Sequence, residues 1–198
     1  MYSKSLCFLL ILASVLAILH SGCGTENPHV LIRTELGDIT VEIYEKEAPV
    51  TASNFLRYVA ESRFDGATFY RTVTMTNQPD NEVKIEVIQG GLGNDERGLG
   101  LPPIVHETTA QTGLRHLDGS ISMARVEPGT ASSEFFICVG DQPELDFGGT
   151  RNPDGQGFAV FGRVAVGMEV VRAIQEQPAE GQWLAPEIKI TEVRPAGG

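Results

Sequence analysis

The sequence is short of cysteine and of positive charge. Three cysteines, Cys7, Cys23 and Cys138, stand far apart in 198 residues. No C-x-x-C pair occurs, so neither a zinc cluster nor a dithiol redox centre is signalled. The four histidines, His20, His29, His106 and His116, share no metal-ligand spacing. No metal is therefore expected. Lysine and arginine number 15 against 26 acidic residues, a formal charge of −11. An acidic chain without a basic run repels phosphate backbones, which excludes nucleic acid as a partner. The acids are dispersed and read as a solubilising, self-repelling surface. No G-x-S-x-G is present, no repeat of fixed period appears, and no linker divides residues 29 to 193.

What remains is 41% hydrophobic, too apolar for disorder and of a length that suits one domain. Twenty-two glycines and 11 prolines are scattered along the chain, as in a β-rich fold with many turns. At the start, Lys4 precedes the apolar run Leu6 to Leu19. A positive end before such a run reads as an export signal, and the run is shorter than the ~20 residues of a membrane span. His20-Ser21-Gly22-Cys23 then resembles a bacterial lipobox, with His20 at a position that is usually apolar. The expectation is a signal peptide and lipobox over 1–23, lipidation at Cys23, and a tether over 24–28. The folded domain would span 29–194, with a tail over 195–198. Such a protein would be exported to the periplasm or cell envelope as a membrane-anchored lipoprotein. Ordinary signal cleavage nearby is the alternative.

Period-two alternation around Leu36-Gly37-Asp38 predicts a hairpin between His29 and Tyr44. Pro49 opens a helix whose apolar face is Ala52, Phe55, Leu56 and Val59. Further strands are expected over Ala67 to Val73, Lys84 to Ile88, Ser120 to Arg125, Phe135 to Val139, Phe158 to Val166 and Ile188 to Val193. A second helix is expected over Gly167 to Gln177. Many short strands with only two helices point to an all-β closed antiparallel barrel or sandwich.

Several segments, in order, resemble the cyclophilins, a class of peptidyl-prolyl isomerases. They are Phe69-Tyr70-Arg71, Gln89-Gly90-Gly91, Gly119 to Arg125, Ser133 to Ile137 and Phe158 to Val164. The resemblance implies a closed eight-stranded antiparallel barrel capped by two α-helices, expected as a monomer. It implies cis/trans isomerisation of X-Pro bonds in unfolded or extended polypeptides, in aid of protein folding and with no cofactor. It casts Arg71 as the catalytic arginine and Gln89 as a binder of substrate backbone. It makes Phe136 the floor of a proline pocket and Leu145 its wall, with Ala124 and Arg125 the strand that pairs with substrate. Val87, Glu134 and Phe158 are further pocket candidates.

The sequence departs from the family at several of these positions. Glu86 and Val87 stand where Phe and Met are usual, Glu134 where Gln is common, and Arg125 where Asn is found. Glu144 replaces a Trp associated with cyclosporin contact, so weak cyclosporin binding is expected. Phe158 replaces a His. An unpaired acid in a proline socket is costly to bury. Either Glu86 turns outward or the loop Met75 to Glu82 shifts the register and Ile85 fills the space. Two other readings are open. One is a proline-peptide-binding chaperone or scaffold with little turnover, favoured by Glu86. The other is a hydrolase assembled from Ser132, Ser133, Glu134 and His116, which lacks the usual nucleophile turn.

Overall fold

The computed structural model describes residues 26–94 and 96–197. The expected signal segment, Cys23 and the first residues of the tether lie outside the described residues. Among the described residues there are nine strands and three α-helices. In chain order they are β1 His29–Thr34, β2 Gly37–Ile43, α1 Pro49–Ala60, β3 Thr68–Val73, β4 Val87–Gly91 and α2 Thr109–Thr112. There follow β5 Ser120–Met123, β6 Phe135–Cys138, β7 Ala159–Val166, α3 Met168–Gln175, β8 Ala179–Glu180 and β9 Trp183–Pro195.

The strands run in the order β1-β2-β7-β5-β6-β4-β3-β9, and β9 pairs back onto β1. Each pairing in this ring is antiparallel. The result is the expected closed eight-stranded barrel; β8 adds a short hairpin partner to β9. Closure removes the open edges that invite aggregation.

The barrel interior is aromatic. Phe55 and Tyr58 of α1 meet Phe64, and Phe55 also meets Phe135 and Phe161, with ring centroids 4.8–5.6 Å apart. Each such ring, once buried, contributes about 1.5–3 kcal/mol. The predicted face of α1 needs one correction: Tyr58 is fully buried, whereas Leu56 is only partly so. The Tyr58 hydroxyl accepts from the Leu101 N–H at 2.6 Å and bonds Ser132 Oγ at 2.9 Å, which makes burial of a phenol tolerable.

A third helix, α2, was not expected. Its signal is the Thr108-x-x-Gln111 capping box: Thr108 Oγ1 accepts from the Gln111 N–H, and Gln111 Oε1 accepts from the Thr108 N–H. Gly113, left-handed at φ 74°, ends it. The strand expected over Lys84 to Ile88 begins instead at Val87 and runs through Gln89-Gly90-Gly91. Before Val87 the Gln78 side chain replaces a neighbouring strand, donating to Ile85 O at 2.8 Å and accepting from Ile85 N. Gly90 belongs in the strand because a Cβ there would lie 2.7 Å from Thr68 O and 2.8 Å from the Phe69 ring.

Successive strand residues face opposite sides. Phe135 and Ile137 of β6 and Ile88 of β4 enter the interior cluster. Their neighbours Phe136, Cys138 and Val87 form a second, smaller cluster on the outer face, with Val73, Ile85 and Leu145.

Candidate active site

The outer cluster is the floor of a groove, and one irregularity in β3 sets its polar rim. Phe69 pairs with Gly90 and Arg71 with Gln89, so Tyr70 and Arg71 together oppose a single residue. Strict alternation would send Arg71 to the same side as Phe69, which is fully buried in the core. The bulge keeps both Tyr70 and Arg71 outside; bulges re-aim side chains in this way beside functional sites.

Arg71 is held by two glutamines. Its Nη1 donates to Gln89 Oε1 at 2.8 Å. Its Nε and Nη2 both donate to Gln182 Oε1, at 3.0 and 2.6 Å. Gln89 Nε2 donates in turn to the Tyr70 hydroxyl at 2.7 Å, and that hydroxyl donates to the Glu134 carboxylate. Glu134 also accepts from the Gly93 N–H at 3.1 Å and from Ser133 Oγ at 2.9 Å. Burial, with the Glu134 charge beside it, pushes the Tyr70 phenol up, so it stays a donor. Burial pulls Arg71 below its ordinary value, yet a guanidinium keeps its proton in proteins. Among the described residues, no carboxylate forms an ion pair with Arg71. Its charge is thus partly desolvated and locally uncompensated.

Beside Arg71 opens a cavity of about 130 Å³. Arg71 and Gln89 form one rim and Ala124 and Arg125 another, while Ile85, Val87, Phe136, Leu145 and Phe158 line the interior. Phe158 meets Phe136 edge-on at 5.2 Å. The Arg125 side chain is only 1% exposed. It donates twice to Gly157 O, pairs with Asp154 at 2.7 Å, and lies 5.3 Å from the Phe158 ring centroid. Arg125 holds Asp154 at a pKa of about 2. Arg125 thereby fixes the loop that carries Phe158.

Under the floor lies a buried histidine. The His116 ring stacks on Phe136 at 5.9 Å, nearly parallel. Nδ1 faces Asp146 Oδ1 at 2.7 Å and Nε2 faces Ser122 Oγ at 3.0 Å. Burial lowers the His116 pKa, so the ring is neutral, donating to Asp146 and accepting from Ser122. Asp146 follows Leu145 directly, so this chain of bonds ties the cavity wall to β5. Although its order is Ser-His-Asp, Ser122 is fully buried and cannot attack a substrate.

The structure therefore gathers Arg71, Gln89, Ala124, Arg125, Phe136, Leu145, Val87 and Phe158 around one space. Glu134 does not line it; it sits behind Tyr70 and borders a neighbouring hollow with Ser132 and Ser133. Glu86 is half-buried and outside the lining, and Ile85 fills the place. Glu86 thus stays out of the cavity while Ile85, Val87 and Gln89 alternate onto its face. Glu144 is occupied by its own loop, accepting from Thr150 N and Oγ1 at 2.9 and 2.7 Å. The hydrolase grouping is not assembled: Ser132 Oγ donates to Leu101 O, Ser133 Oγ to Glu134, and His116 lies with other partners. Sequence reasoning missed Gln182, Tyr70 and the buried His116 pairing.

The chain's relatives agree with this geometry. The profile of the family described as cyclophilin type peptidyl-prolyl cis-trans isomerase/CLD matches residues 29–195. Peptidyl-prolyl cis-trans isomerase A of Dickeya dadantii is 35% identical over 178 residues, covering 86% of either chain. Peptidyl-prolyl cis-trans isomerase cyp18 of Streptomyces antibioticus is 37% identical over 149 residues, covering 74% of this chain and 82% of its own. A crystal structure of a Cryptosporidium parvum cyclophilin type isomerase, in the presence of the dipeptide Ala-Pro, superposes with a TM-score of 0.69 at 22% identity, over 86% of this chain and 99% of that one. An eight-stranded barrel, an arginine rimming an apolar outer cup and a profile match over nearly the whole folded part lead to one assignment: this chain belongs to the cyclophilin type peptidyl-prolyl cis-trans isomerase family.

Proposed function

We propose that the cup takes the pyrrolidine ring of an X-Pro segment and that Arg71 promotes rotation about its amide. The uncatalysed barrier is about 18–20 kcal/mol because amide resonance must be broken, and X-Pro exchange takes tens of seconds or more. No bond is made or cut, so neither nucleophile nor metal is required. As the C–N bond twists, the prolyl nitrogen pyramidalises and gains a lone pair. A guanidinium N–H aimed at that lone pair stabilises a charge distribution present only in the transition state. An acceleration of ~10⁵ needs about 7 kcal/mol of such preference. Phe136, Leu145, Val87, Ile85 and Phe158 would hold the ring. Gln89 would meet the substrate backbone, and the Ala124–Arg125 edge would align an extended peptide, a sequence-tolerant mode of pairing.

The observation that carries this reading is the uncompensated Arg71 guanidinium fixed at the rim of an apolar cup. The reading as a holder without turnover drew on an acid in the cup, and no carboxylate lines it among the described residues. The test is exchange spectroscopy on a proline peptide with wild type and Arg71→Ala. Fast exchange with the first and exchange slowed about 10²- to 10³-fold with the second is the expected result; background rates for both would end the enzyme reading.

The substrates we propose are unfolded or extended proline-containing polypeptides, on which slow X-Pro isomerisation limits folding. The protein would act as a monomer in the cell envelope, held to a membrane by acyl chains on Cys23. The support is the Lys4, Leu6 to Leu19 and Ser21-Gly22-Cys23 pattern. Several chains give stable attachment, since each buried methylene adds about 0.8 kcal/mol. Mass analysis of the mature N-terminus tests this, and an unmodified start beyond residue 23 would refute it.

A further inference from the structure

We propose that Gln182 is the positioning residue that aims Arg71. This rests on Arg71 as the group that promotes rotation, and it adds a residue from a distant part of the chain to that machinery. A guanidinium is a planar fork with five N–H donors. Three are engaged within the fold: Nε–H and one Nη2–H on Gln182 Oε1, and one Nη1–H on Gln89 Oε1. One N–H on each terminal nitrogen is left for substrate. Gln89 alone would be a single pivot, about which the plane could swing. The two donors converging on Gln182 fix the opposite edge and set the plane.

Gln182 is itself anchored close to Arg71. Its backbone carbonyl accepts from the Thr72 N–H at 2.9 Å. Its Nε2 donates to Asn77 O at 3.1 Å, which leaves Oε1 to face the arginine. Asn77 Nδ2 donates to Thr72 O at 3.0 Å and to Gly181 O at 3.1 Å. The turn between β8 and β9 is thus sewn to the residue next to Arg71, and its glutamine follows any shift of β3. Chemistry explains the residue type. A neutral amide oxygen holds the fork without cancelling the charge. A carboxylate would hold it as well but would draw down the field that the twisted amide needs.

Catalysis is sensitive to such aim, since misplacement by about 1 Å can cost about 100-fold. The experiment measures kcat and KM separately by exchange spectroscopy at varied peptide concentration. It uses wild type, Gln182→Leu, Gln182→Glu, Arg71→Ala and the Arg71→Ala/Gln182→Leu pair, with a thermal melt of each. Gln182→Leu is expected to lose about 10- to 100-fold in kcat with KM and melting temperature close to wild type. Gln182→Glu, which keeps the aim but adds a counter-charge, is expected to recover part of that loss. Adding Gln182→Leu to Arg71→Ala should change nothing further. The proposal is overturned if Gln182→Leu turns over like wild type while Arg71→Ala is inactive. It is also overturned if KM rises and melting temperature falls along with the loss in kcat and Glu does not rescue, or if the Gln182→Leu loss persists in the Arg71→Ala background. An active Arg71→Ala would instead remove the reading of Arg71 itself, and this proposal with it.

Discussion

The two faces of β4 and β6 make different uses of the same strands. Inward, Ile88, Phe135 and Ile137 join a large aromatic cluster that the barrel seals from water. Outward, one residue along, Val87, Phe136 and Cys138 form a cluster of six buried residues around a cup. The inner cluster is enclosed by the ring of strands. The outer cluster borders a cavity of about 130 Å³, and at its rim Arg71 has no carboxylate ion-pair partner among the described residues. A single step along a strand separates a group sealed inside the barrel from one that borders the cup.

The sharpest way to break this contrast is at Phe135 and Arg71. Phe135→Ala should cost about 3–5 kcal/mol by opening an internal cavity, read as a lower urea midpoint, while the molecules that remain folded turn over normally. Arg71→Ala should leave the urea midpoint in place and lower kcat/KM by about 10²- to 10³-fold, the usual loss when one transition-state donor is removed. If either variant showed the other's signature, the division between the faces would be wrong. Phe136→Ala should fall between them. The cup is open to water, so the stability loss should be about 2 kcal/mol, and KM should rise more than kcat falls.

The smallest expected effect is electrostatic and lies beneath the cup. Burial lowers the His116 pKa, and His106 is lowered for the same main reason. The unfolded chain therefore binds more protons than the folded one as pH falls through about 6.5, and stability declines with it. Asp146 is held below its ordinary value by His116, so its contribution is lost at still lower pH, as the carboxylate protonates. Each proton sets a slope of at most about 1.4 kcal/mol per pH unit. Urea midpoints between about pH 5 and pH 8 should show the decline in wild type and a shallower one in His116→Gln. An unchanged slope would mean that His116 is not the group being charged.

The fold was largely legible because the barrel strands announce themselves by alternation and turn residues, and Arg71 because a recurring motif surrounds it. What stayed hidden depended on partners remote in sequence. The bulge at Tyr70–Arg71 breaks the period-two rule that served elsewhere, and nothing local marks it. Gln182 acquires its meaning from an arginine 111 residues away. Ile85 could be named only as an option, since its direction depends on where Gln78 ends the loop. The one-turn helix α2 is different, because its Thr108 to Gln111 capping box is a local signal in the sequence.

The seam of the barrel has a consequence for how the chain is made. β1 is zipped to β9 from Val30 opposite Pro195 to Thr34 opposite Ile190, and Ala196 N donates to His29 O at 2.8 Å. The first strand must therefore wait for residues 190–195 to emerge from the ribosome. Until then the ring stays open, and the Arg71 side chain of β3 lacks its two hydrogen bonds to Gln182.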